Sequence, residues 1–244
     1  MNILVPMVQS NTMISDDARF IKALYEIRKK TILEYIIERL SSIPDASVTF
    51  VIRQSDARDY HIDKIIKLLL PDANIVTAKG GTQGAACSCL LAIDHIDNAE
   101  PLLIAGSDQI INVDLADVIR HFIESPLDGA AVILDDVHPK WSFVKLDEND
   151  MVVEAAEKVP ISRNACAGYY YFREGRVFAK AAMKMISTRG MTNGQYYVCP
   201  VFNEMIIEGR QIGIYRIDKK DHYSLTSEQG VAEFEDYVSQ LAIR

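Results

Sequence analysis

Long apolar runs are missing from this chain: nothing approaches the ~18 consecutive residues a bilayer-crossing helix needs, and Pro6 cuts the apolar stretch at its start. We therefore expect no membrane contact and no cleaved leader. Basic charge is scarce too, with 26 Lys and Arg against 34 Asp and Glu and a net charge of −8. Duplex-binding domains draw much of their affinity from a basic face through counterion release, so nucleic acid is excluded as a partner. Paired metal ligands are absent as well. His61, His95, His121, His138 and His222 are scattered, and Cys87 and Cys89, two apart on a helix, would diverge rather than chelate, so zinc is not expected. No His, Cys or Asp grouping points to an activated nucleophile. The four cysteines, Cys87, Cys89, Cys166 and Cys199, lie in apolar runs, which reads as free thiols in a reduced, cytoplasmic protein. Pro/Gly/Ser-rich linkers, repeats and low-complexity tracts are also missing, so residues 1–244 read as one domain.

What is present is ordinary globular usage, 49% hydrophobic and 25% charged over 244 residues, long enough to bury a full core without disulfide or metal staples. Asn2 to Met7, Val48 to Arg53, Ala73 to Ala78 and Pro101 to Gly106 read as strands, alternating with helical periodicity over Lys30 to Leu40, Asp56 to Leu70 and Gln83 to Ile96. That alternation predicts right-handed crossovers and a mostly parallel sheet, with ligands at the carboxyl ends of the strands. After the helix Leu115 to Glu124 the rhythm turns β-rich: Gly129 to Leu134, Trp141 to Leu146, Met151 to Glu154 and Cys166 to Phe172. Helices over Val177 to Ile186, Pro200 to Glu208 and Val231 to Ile243 then surround a strand at Ile212 to Ile217. The fold class is α/β, a mixed sheet flanked by helices.

Four places carry polar chemistry. Gly106-Ser107-Asp108-Gln109 puts a carboxylate at the tip of an apolar strand, where it can hold Mg²⁺ against phosphate oxygens; by itself a strand-tip aspartate is more often a turn or cap residue. Gly80 to Ala86 is a glycine-rich strand-to-helix turn that lets backbone N–H groups approach a base or phosphate, or simply makes a tight connection. Glu157-Lys158 pairs an acceptor for polyol hydroxyls with a phosphate-binding cation, or forms a solvated ion pair. Lys22 stands between two elements as a further cation.

In this order, these features resemble the sugar-phosphate nucleotidyltransferases, the pyrophosphorylases of Rossmann-like, glycosyltransferase-A-type fold. The segment Asn2 to Met7 is similar to the family's opening strand. Lys22 to Ile27 with Thr31 to Ile36 resembles its lysine-bearing motif and following helix, and Gly84-Ala85-Ala86 its base-binding turn. Ile104 to Asp108 resembles the strand ending in a metal-binding aspartate. Trp141 to Val144, Glu157-Lys158-x-Pro160 and Ala165 to Tyr170 resemble its sugar side. The resemblance implies an NTP and a phosphorylated small-molecule acceptor as partners, Mg²⁺ as cofactor, and pyrophosphate as leaving group, with self-association left open. It implies catalytic roles for Lys22, Asp108 and Arg19, with the metal on Asp108. Met7, Gly81, Thr82, Gln83, Gly84, Ala85 and Ser107 would take the nucleotide, and Gln109, Ser142, Glu157, Lys158 and Gly168 the acceptor. Residues 1–114 become a nucleotide-binding half and 115–244 an acceptor-binding half. The closest likeness is to short bacterial members of surface-polysaccharide synthesis.

Two stretches depart from the pattern. The family's glycine-rich first loop appears as Val8 to Phe20 without a glycine, Arg19 standing for the usual arginine from a shifted position. Its late acidic motif appears as Tyr223-Ser224-Leu225-Thr226-Ser227-Glu228. A glycosyltransferase consuming a nucleotide sugar, and a non-catalytic relative, are the alternative readings.

Overall fold

Alternating side chains of the central strand already show the architecture. Ile3, Val5 and Met7 enter one buried cluster while Leu4 and Val8 enter another, so the sheet carries a core on each face. The computed structural model describes residues 1–8, 12–15 and 18–241, with the backbone alone for 12–15, 18–20 and 241. Asn2–Pro6 lies between Ser47–Arg53 and Leu102–Ala105, parallel to both, and Asn74–Ala78 extends the parallel group beyond Ser47–Arg53. Asn164–Phe172 then pairs antiparallel with Leu102–Ala105 and with Gly129–Asp135. Ser142–Leu146 and Val152–Glu157 finish one edge, and Ile212–Arg216 runs parallel to Gly129–Asp135. The nine strands form one mixed sheet with a parallel first half and a β-rich second half, as the hydrophobic periodicity predicts. All four cysteines are free, and among the described residues no helix is long and apolar enough to cross a membrane.

Local chemistry explains where the elements begin and break. Thr31 caps Ile32–Leu40 and exchanges backbone and side-chain hydrogen bonds with Glu34, an arrangement worth about 1 kcal/mol. Ile32, Leu33, Ile36, Ile37 and Leu40 all go inward. Lys30 and Thr31 instead belong to a tight hairpin with Glu26–Ile27, turned by Arg28 and Lys29 at positive φ, so this helix starts two residues later than its periodicity predicts.

The single helix expected over 56–70 is two, Gln54–Tyr60 and Ile62–Leu69. His61, at φ 55°, donates to Ala57 O at the end of the first while its carbonyl accepts from Lys64 and Ile65 in the second. The helix expected over 83–96 also divides, into Ala85–Leu90 and Ile93–Ile96. Gln83 lies outside it because Gly84, at φ 113°, cannot continue helical backbone.

One irregularity positions everything that follows. Asn164–Phe172 shares a single edge between two strands placed end to end: Tyr169 to Phe172 face Ala105 to Leu102, while Ala165 faces Phe143. Gly168, at φ 81°, marks the junction, and its carbonyl accepts from Gly106 N at 2.9 Å. The sheet therefore opens between Ala105 and Ser142, and 106–109 leaves it there.

Candidate active site

Asp108 stands at that opening. Lys22, in the short turn Lys22–Leu24, brings Nζ to 3.9 Å from Asp108 Oδ2, with Lys22 almost wholly buried and the aspartate side chain 34% exposed. The separation is longer than a hydrogen bond, so each charge attracts the other while keeping its own coordination or hydrogen-bonding capacity. Desolvation raises the Asp108 pKa and Lys22 pulls it back.

The loop is held by a segment far away in sequence. Gln109–Ile111 pairs antiparallel with His222–Ser224, and Leu225 N donates to Asp108 O at 2.8 Å. Both strands have three residues, too short for a period-two signal, which is why sequence reasoning missed them. The late stretch Tyr223 to Glu228 thus arrives beside Asp108. Among the described residues, however, no group of three or more His, Cys, Asp or Glu could surround a metal ion. A hard cation here would be held by the Asp108 carboxylate, completing its shell with substrate phosphates and water, which suits Mg²⁺.

On the other side of the opening, Ser142 and Glu157 are directly opposed in register. The Ser142 hydroxyl donates to Glu157 Oε2, and Tyr170 OH donates to Ser142 Oγ at 3.3 Å. Glu157 is 6% exposed. Burial raises its pKa, opposed by the serine hydroxyl and by Lys158. Lys158, at φ 58°, is turned out of the strand: its N–H donates to Trp141 O at 2.9 Å and its ammonium to Tyr197 OH at 2.9 Å. Consecutive residues thus present a sequestered carboxylate and an exposed cation.

A raised folded-state pKa means that ionised Glu157 opposes folding at neutral pH, and the cost fades as pH falls through that pKa. Glu157→Gln keeps an oxygen for Ser142 and removes the charge. The melting temperature is expected to stay level or rise, while KM for a hydroxylated acceptor rises at least about tenfold, the scale of a hydrogen bond to a charged group. A lower melting temperature with unchanged KM would make Glu157 a purely structural carboxylate.

The glycine turn divides into two parts. Gly80 and Gly81 have open space around them, but a β-carbon on Gly84 would lie 2.2 Å from Tyr196 O. Tyr196 N donates to Gln83 O and Tyr196 O accepts from Ala86 N, so the glycine is required by this close backbone packing. Thr82 Oγ1 lies 2.6 Å from Ser88 Oγ, so one hydroxyl donates to the other and the second donates to Gly84 O, 3.2 Å from both, fixing the turn from inside. Gly84→Ala should therefore cost about 2 kcal/mol or more, combining strained φ with overpacking, measured by denaturant unfolding. A change below about 0.5 kcal/mol, the ordinary surface scale, would contradict the packing assigned to Tyr196.

Other expected residues are placed differently. The Met7 side chain is core, 2% exposed, and its N–H donates to Val51 O at 2.7 Å, so what Met7 can offer a nucleotide is its backbone carbonyl. Ser107 donates to Pro6 O at 3.3 Å, pinning the Asp108 loop to the central strand. Arg19 lies in Ala18–Ile21, which pairs with Thr12–Ser15, and its side chain is outside what the structure describes, as are residues 9–11 and 16–17 of the first loop.

A sequence model of the nucleotidyl transferase family matches residues 18–205. No curated protein matches the sequence. Among solved structures, a nucleoside-diphosphate-sugar pyrophosphorylase from Vibrio cholerae RC9 is similar, with TM-score 0.81 and 20% identity over 97% of this chain and 100% of that one. A putative glucose-1-phosphate thymidylyltransferase from Bacillus anthracis gives 0.75 at 13% identity, covering 97% and 94%. The inositol-1-phosphate CTP transferase from T. maritima gives 0.77 at 13%, covering 98% and 94%. At such identities the structural likeness speaks for the fold alone.

Proposed function

Because the chain belongs to the nucleotidyl transferase family, we propose that it joins an NTP to a sugar phosphate, or a related small phosphate, with release of pyrophosphate. One observation carries this reading: the Lys22–Asp108 pair stands where the sheet parts after Ala105, and the Ser142–Glu157 pair stands on the strands across that break. A cation and a metal-competent carboxylate beside a hydroxyl-binding carboxylate fit two substrates, one anionic and one hydroxylated.

In the proposed reaction a phosphate oxygen of the acceptor attacks the α-phosphorus of the NTP. The bond from that phosphorus to the bridging oxygen breaks, and the electron pair leaves with pyrophosphate. The protein's task is positioning and charge stabilisation rather than covalent chemistry. Lys22 neutralises phosphate oxygens; Gly81, Thr82, Gln83 and Ala85 border the base; Ser107 fixes the loop that carries Asp108. Glu157 accepts a hydroxyl of the acceptor and Lys158 its phosphate. Asp108 would hold Mg²⁺, which screens the triphosphate when bound. This divides the chain into a nucleotide half, 1–114, and an acceptor half, 115–244. Motif resemblance supports a cytoplasmic enzyme of surface-polysaccharide synthesis.

A pyrophosphate-release screen crossing four NTPs with phosphorylated sugars and small phosphates tests the reading. Turnover with at least one pair is expected. Silence across the panel, or release of a nucleoside diphosphate from a nucleotide sugar, would overturn it.

A further inference from the structure

His222 is a buried polar residue that the proposed chemistry leaves without a task. It is 9% exposed in the short strand His222–Ser224, its Nε2 lies 3.0 Å from Gln109 Oε1, and Trp141 meets the ring edge-on with centroids 4.9 Å apart. The Gln109 amide lies flat on Gly168, where a β-carbon would come within 2.6 Å of Oε1, 2.7 Å of Cδ and 3.1 Å of Nε2. Glycine at 168 thus makes room for this amide, and His222 decides which way it faces. Burial and the nearby Lys140 hold the imidazole's pKa down to about 4, against Asp136, so the ring is neutral near pH 7. A neutral ring protonated on Nε2 donates to the carbonyl end of the amide. The NH₂ end is left without a hydrogen-bond partner among the described residues, and so is the buried Trp141 Nε1. Two N–H donors around one imidazole, neither bonded, suit a ligand that supplies oxygens.

We infer that His222 is a positioning residue for the acceptor: it orients Gln109 so that the amide NH₂ donates to a ring hydroxyl of the sugar phosphate. The inference rests on the function proposed above and deepens it.

Steady-state kinetics on four variants, with NTP and sugar phosphate varied separately, test it. His222→Leu should raise KM for the sugar phosphate about tenfold, the worth of one hydrogen bond, and leave KM for NTP within about twofold. His222→Gln, whose amide nitrogen can take the place of imidazole Nε2, should recover most of the loss. Gln109→Leu should match His222→Leu, and the double variant should add nothing, since both act through one bond. Equal rises in both KM values, no rise for the sugar phosphate, or additive losses would overturn the assignment. Should His222→Leu fail to fold, His222→Gln and Gln109→Leu decide between the same outcomes.

A second readout is independent of turnover. In the wild type the Gln109 side-chain NH₂ should give sharp, slowly exchanging NMR signals that a sugar phosphate shifts and that His222→Leu broadens. Identical signals in the two proteins would refute the positioning even where pyrophosphate release is observed. Ordered signals in a protein that releases none would sustain it while the proposed reaction fails.

Discussion

Asp108→Asn is expected to lower kcat by at least about 10³-fold, with excess Mg²⁺ failing to restore it. The expectation follows from one carboxylate being asked to seat the cation that screens a triphosphate, a contribution of several kcal/mol to the transition state. Asparagine keeps the shape and one oxygen but loses the charge, so the loss should appear in turnover rather than in folding. The fold should lose little. The Lys22–Asp108 pair is 3.9 Å long and its carboxylate side chain is a third exposed, so after solvent screening it is worth no more than about 1 kcal/mol. Desolvation of the ionised carboxylate works against that gain, so the melting temperature should stay level or fall by no more than about 4 °C for a chain of this size. Adding Lys22→Met to this variant removes the ammonium left without its partner, and should restore any melting temperature lost while turnover stays absent. Near-normal kcat in Asp108→Asn would mean that the metal, if used, is held elsewhere.

Lys22→Met is the second large effect, expected at about 10²-fold in kcat/KM for the NTP, the usual scale for removing one preorganised donor from a site of developing charge. Methionine preserves the buried stem, which matters because Lys22 is only 8% exposed and its methylenes pack beneath the charge. The acceptor KM should not move. A variant that lost acceptor and NTP affinity equally would point to a collapsed loop. One that lost neither would assign triphosphate binding to the first loop and Arg19.

The parts of this molecule that a sequence shows are those with long periodic signals. Strands such as Leu102–Ala105, buried on both faces, and helices such as Ile32–Leu40, with one apolar stripe, declare themselves. Asp108 was legible because an apolar strand ends just before it. What escaped is built from long-range geometry. Nothing in Gln54 to Leu69 advertises that His61 adopts a left-handed conformation and splits a helix. The pairing of Gln109–Ile111 with His222–Ser224 joins residues more than a hundred positions apart through strands of three residues. Gly84 illustrates a subtler difference. It stands out in the sequence as a glycine at a strand-to-helix turn, yet the structure traces its necessity to the Tyr196 backbone, which no local pattern reveals. Met7 shows the reverse case, in which a residue of a recognisable segment turns its side chain into the core.

A structure of the protein with Mg²⁺ and a non-hydrolysable NTP would test the central claim most directly. The account predicts the cation about 2.0–2.1 Å from an Asp108 carboxylate oxygen, the usual Mg²⁺–oxygen distance, with Lys22 Nζ on a phosphate oxygen and the base against Gly81 to Ala85. A nucleotide seated away from that loop, with Asp108 still facing only Lys22, would contradict it.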